Sequence, residues 1–173
     1  MRSGGRILAL TAALALLTGT TVAQAEVPSC DSGVRFSATG TGAAMGLRLM
    51  AIEVTNCGTE PLQLNGYPRV KLLDADRQQL DVAILEGSGG IAAIEGFDDP
   101  PQPITVAPGD SAKSAFLWRN THASVDPPQL ARHADVAAVP DGAWEPLVAS
   151  PQEGSIYIDL GSTGRLGVRA WYR

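Results

Sequence analysis

Basic charge is scarce in this sequence, and so are the residues that usually announce a reaction. Lys and Arg total 13 against 18 Asp and Glu, a formal net charge of −5. A nucleic-acid binder needs a basic face to neutralise phosphates, and this balance excludes one. Histidine occurs only at His122 and His133, and cysteine only at Cys30 and Cys57. Two thiols alone do not complete a structural zinc site. Aromatic residues are few, with three each of Trp, Tyr and Phe. Long apolar runs are missing too, since none reaches the ~20 residues that cross a bilayer as a helix. What is present is apolar content, 45% of 173 residues, too high for a disordered chain. The 19 Gly and 12 Pro are in turn too many for a helical bundle. A chain of this length is expected to form one domain.

The first 25 residues read as an address. Arg2 and Arg6 precede an apolar run of 11 residues, Ile7 to Leu17, and small and polar residues lead to Ala23-Gln24-Ala25. That order is the layout of a secretory signal peptide (1–25) with cleavage after Ala25. Lipidation at Cys30 is the alternative, and Val27-Pro28-Ser29 fits it poorly. Loss of Arg2 and Arg6 leaves 11 basic and 18 acidic residues in 26–173, a net charge of −7. The mature chain is expected to be secreted or associated with the cell envelope, with no transmembrane segment. In an oxidising compartment its two cysteines are expected to form a Cys30–Cys57 disulfide, the alternative being free thiols in a core.

Short alternating segments broken by turn residues give an all-β signature. Val34, Phe36 and Ala38 alternate with Arg35 and Ser37. Leu47 and Leu49 take one parity while Ile52 and Val54 take the other, which predicts a bulge or a strand buried on both faces. Asp74-Ala75-Asp76 reads as a hairpin tip, and Pro108-Gly109 as a type II turn. Ala112, Ser114, Phe116 and Trp118 alternate again. Ile156, Ile158 and Leu160 are expected to pair with Leu166, Val168, Ala170 and Tyr172 in a last hairpin. Gln129–Asp135 is the one helix candidate. About eight strands at this spacing predict a two-sheet β-sandwich.

Glu86–Pro103 has little hydrophobic period and suits a recognition loop, so deleting 87–96 is expected to cost little stability. It carries Phe97. Trp144 falls in another loop, and Trp171 shares its parity with Arg165 and Arg169, the less buried side of its strand. Exposed aromatic rings bind sugars or anchor partners, which makes Phe97, Trp144 and Trp171 the candidate ligand contacts. Rings that cap the ends of the sandwich are the alternative.

Catalytic patterns fail one by one. Ser88 has Glu86 where a nucleophile elbow needs glycine. His122 or His133 could join Asp126 or Asp135 around a metal, although solvated loop histidines explain both. Met45 and Met50 lack a neighbouring histidine for copper, and Asp74, Asp76, Asp98 and Asp99 lack the series that binds calcium. No cofactor is expected. The favoured function is a non-catalytic module that binds a protein, peptide or glycan at its loops. The alternative is a hydrolase or metal-dependent enzyme whose site, His122 or His133 with carboxylates, assembles only in the fold.

Three blocks carry a resemblance. Val54–Val70 (VTNCGTEPLQLNGYPRV), Val106–Ala112 (VAPGDSA) and Phe116–Asn120 (FLWRN) resemble a family of secreted actinobacterial proteins known as a domain of unknown function, DUF4232. The resemblance spans about Cys30 to Arg173 and rests on turn and strand motifs. It implies an immunoglobulin-like sandwich behind a signal peptide or lipid anchor, with cysteines near the places of Cys30 and Cys57. It implies no activity.

Overall fold

A computed structural model describes residues 30–149 and 155–173; the expected signal peptide and cleavage site lie outside them. Every regular element among the described residues is a strand. These are β1 (Val34–Ala44), β2 (Leu47–Asn56), β3 (Leu62–Leu64), β4 (Arg69–Leu73), β5 (Ala83–Glu86) and β6 (Ile104–Val106). Then follow β7 (Ser111–Arg119), β8 (Leu130–Ala131), β9 (His133–Ala137), β10 (Glu145–Ala149), β11 (Ile158–Asp159) and β12 (Arg165–Val168). Eight of them form one continuous sheet in the order β4-β9-β10-β1-β2-β7-β12-β5, with β3-β6 and β8-β11 as separate pairs. Inward side chains from both halves of the long sheet, such as Leu72, Val136 and Leu147 against Phe36, Ile52, Phe116 and Leu166, share one core. The sheet therefore curls back on itself.

The longest ladder follows directly from alternation. β1 and β2 pair antiparallel from Val34↔Asn56 to Ala44↔Leu47, closed by Met45-Gly46 with φ of 42° and 80°. Two positive φ values in a two-residue loop match the right-handed twist of the strands. A register shift between Ala38 and Gly40 puts the bulge in β1. The parity change in β2 has the other expected cause, burial on both faces. Met50, Ile52 and Val54 point into the core, while Leu47 and Leu49 pack outward under the segment after β5.

Cys30 and Cys57 are bonded, Cα to Cα 6.2 Å, tying the entry of β1 to the turn after β2. Gly33 O accepts from both Cys57 N and Gly58 N, so the two segments already touch through the backbone. The Pro108-Gly109 turn is also as expected, with Gly109 at φ 85° and Asp110 N donating to Ala107 O.

Several expectations are corrected. The helix candidate 129–135 is strand: Ala134 and Val136 point inward, His133 and Asp135 outward, and β9 bonds both β4 and β10. Pairing on both sides overrides a weak local helical preference. The last hairpin does not form, because β11 pairs with β8 (Ile158↔Ala131) whereas β12 pairs with β7 and β5. The long 86–103 connection is not a free loop. It folds over the outer face of the sheet and builds a second small core, in which Phe97 meets Ala115 and Leu117 with Ile91, Ala92 and Ile94 around them. Gly167 makes this approach possible: a Cβ there would sit 2.8 Å from Gly87 O. Real Cβ atoms do not come so close to a backbone oxygen, so only glycine fits.

Candidate functional site

Two of the three aromatic candidates are withdrawn by burial. Phe97 is 2% exposed because the segment that carries it closes over Leu117. Trp171 is 2% exposed because β12 ends at Val168 and strand alternation ends with it. Trp171 turns inward, stacks on Phe36 at 6.3 Å between centroids, and donates from Nε1 to Ala138 O at 2.9 Å. Trp144 remains at the surface, half-buried, with Lys71 Nζ 3.9 Å and Arg69 Cζ 5.7 Å from its ring centre. Both cations sit at outward positions of β4, so alternation places them beside this ring.

His133 and Asp135 share the outward face of β9, and Asp135 pairs with Arg77 at 3.0 Å. Among the described residues no three His, Cys, Asp or Glu side chains lie close enough to hold a metal ion. His122 sits in the exposed segment after β7. Asp74 serves its turn, where Oδ1 accepts from Asp76 N and Gln78 N. Asp98 Oδ1 accepts from Ser88 N, and these hydrogen bonds hold its carboxyl below the usual carboxylate range. At the seam between the edge strands β4 and β5, burial raises the Tyr67 phenol, and Glu86 and Asp98 push it the same way.

A cavity of about 370 Å³ lies elsewhere, under the far half of the β1–β2 hairpin. On its β1 side the lining is small: Thr41, Gly42 and Ala43. After the register shift, Thr41 faces Met50 and Ala43 faces Arg48 across the ladder, and directly opposed residues share a face. Small side chains on β1 thus stand before large ones on β2. β10 reaches along β1 only from Phe36 to Ala38, which leaves the far half of the hairpin uncovered on that side among the described residues. Trp118 of β7, cross-strand partner of Arg48, forms the floor, and Ile156 and Tyr157 form a wall.

Among the described residues Arg48 is the only charged one lining this space, and no carboxylate joins it. Its guanidinium is held by the backbone and by one amide: Nη1 donates to Leu47 O at 3.0 Å. Asn120, in the amide orientation that satisfies both its ends, accepts from Arg48 Nη2 at 3.0 Å and donates to Gly46 O. Trp118 is 4% exposed, and its Nε1 has no acceptor among the described residues. Buried indole N–H groups nearly always have one. Tyr157 is 50% exposed at the mouth, with Arg132 Cζ 4.7 Å from its ring centre.

A family model described as a domain of unknown function, DUF4232, matches residues 30–172. The chain belongs to this family. Comparison with curated proteins and with solved structures returns no match. The Asn56-Cys57-Gly58 block within this DUF4232 domain serves the fold. Asn56 is buried, its Nδ2 donates to Glu60 O and Val106 O, and its Oδ1 accepts from Gly58 N. The cavity residues Arg48, Trp118 and Tyr157 were not singled out from the sequence. One signal for them exists there: Arg48 has the parity of Met50, Ile52 and Val54, a cation in an inward series.

Proposed function

We propose that this DUF4232 domain is a non-catalytic binding module, exported and retained outside the cell membrane, that takes its ligand in the cavity beneath the β1–β2 hairpin. The observation that carries this reading is the character of that cavity. Its walls are Trp118, Tyr157, Met50 and Ile156, with one guanidinium and, among the described residues, neither histidine nor carboxylate to move a proton. A few polar groups set in an apolar, largely preformed hollow are what ligand sites have in common. The Cys30–Cys57 disulfide fits an oxidising compartment, and the basic, apolar and Ala-x-Ala regions of 1–25 fit export with cleavage after Ala25. We read the curled sheet as an immunoglobulin-like sandwich whose halves, β4-β9-β10 and β1-β2-β7-β12-β5, face each other across the shared core. A protein, peptide or glycan partner would meet the half-buried Trp144 between Arg69 and Lys71 as a second contact.

Thermal-shift measurements against cell-wall glycans, peptides and small organic acids test the function, with each compound recovered and weighed by mass spectrometry. A compound that raises Tm and returns intact supports a binding module. A compound returned as hydrolysis product overturns it. N-terminal sequencing of protein from culture medium tests export, with Glu26 as the expected first residue.

A further inference from the structure

We propose, on the basis of the binding-module reading, that the Arg48 cavity takes a small amphiphilic anion, a carboxylate or phosphate head on a short apolar body. Arg48 has no ion-pair partner among the described residues, whose two salt bridges are Arg77–Asp135 and Arg169–Asp99. Its uncommitted N–H donors form a planar fork whose geometry matches a carboxylate or phosphate. A guanidinium set among apolar walls without a counter-charge is costly, and an anion removes that cost. Arg132 is not in the lining, but its Cζ lies 4.7 Å from the ring centre of the wall residue Tyr157. The chain as a whole carries a net charge of −5, so a lining whose one charged described residue is Arg48 reverses the local sign. Such a reversal draws anions in and turns cations away. The apolar body has Met50, Ile156 and the Trp118 ring to lie against, and the orphaned Trp118 Nε1 is a further donor in the wall.

Calorimetric titration of the purified protein with octanoate, octyl phosphate, octyl glucoside and octyltrimethylammonium gives the decision. The two anions should bind saturably at one site, at least about tenfold more tightly than the cation and the neutral glucoside. Arg48→Gln should weaken both anions about tenfold, the scale of a lost charge-assisted hydrogen bond, and leave the glucoside unchanged. Ala43→Leu fills the cavity from an exposed strand position without changing charge, and should abolish anion binding in a folded protein. Equal affinity for anion and cation, or anion binding untouched by both substitutions, overturns the proposal. If none of the four amphiphiles binds while a glycan or peptide raises Tm, the anion assignment fails and the binding module stands. If nothing binds and a compound is turned over, both fail.

Discussion

The two faces of β7 bury side chains of the same kind by different means. Inward, Ala112, Phe116 and Trp118 meet residues from nearly every strand of the long sheet, where register fixes each neighbour. Outward, Ala115 and Leu117 meet Phe97, Ile91, Ala92 and Ile94, all from a segment without regular structure. That outer cover is braced internally by Asp98 on Ser88 N and Phe97 N on Ile94 O, and tied to the sheet by Arg119 Nε on Ile91 O, Arg165 Nη2 on Gly89 O and Gly87 N on Val168 O. Glycine-rich turns can thus carry a core when they have a flat apolar sheet to lie on. Such a core has fewer ways to hold its shape.

Substitutions on either side of the sheet test whether the faces differ. Phe116→Ala should cost most, about 4 kcal/mol, because neighbours fixed in a ladder do not collapse into the space. Urea unfolding with an unchanged m-value checks it, and a loss under ~2 kcal/mol would erase the distinction. The paired Cys30→Ser, Cys57→Ser variant should lose about 3 kcal/mol, for a cross-link spanning 27 positions. Phe97→Ala should cost about 2–3 kcal/mol, less than Phe116→Ala because the turn-built cover can settle into the gap. Amide exchange should then speed up across 88–98 while β9 and β10 keep their protection; global loss of protection would show one core rather than two. Deleting 87–96 should likewise destabilise beyond the ~1 kcal/mol that loop entropy alone allows, because it strips Ile91 and Ile94 from Leu117.

Asp98 gives the smallest effect and the only one tied to pH. Its carboxyl titrates lower in the folded chain than in the unfolded one. The stability it contributes is therefore complete above the unfolded carboxylate pKa and is lost as pH falls through the lower folded value. Asp98→Asn should flatten the acid side of the stability profile and leave neutral pH less changed. Melting curves between pH 2 and 7 (on the order of one pH unit apart) would show a parallel profile if the outer cover does not depend on this contact.

Alternation made β1, β2 and β7 legible, and turn chemistry made the Pro108-Gly109 corner legible, because both depend on neighbours in sequence. The pairing of β11 with β8 was not, since Ile158 finds Ala131 across the fold rather than the residues that follow it. Trp171 departs from its parity for a related reason: parity is informative only while a strand continues, and β12 stops at Val168. Phe97 reads as a surface ring in the sequence because glycine and proline around it mark turns, and turns leave open what they cover. The disulfide was legible by count alone. The cavity was not, because its floor and wall, Trp118, Ile156 and Tyr157, come from parts of the chain far in sequence from Arg48.

The parallel pairings of the long sheet set a timetable. β1 lies against β10 through Phe36↔Leu147, and β12 lies between β7 and β5 through Leu166↔Ile84. The sheet's interior strands thus come from opposite ends of the described chain. Contacts with such high contact order pay their loop-closure entropy before they gain much, which puts folding of similar β proteins at about milliseconds to seconds. A ribosome adds about 5–20 residues each second. The strand that seats between β7 and β5 emerges several seconds after β1. The order of synthesis therefore leaves β7 and β5 without the strand that joins them until β12 is made.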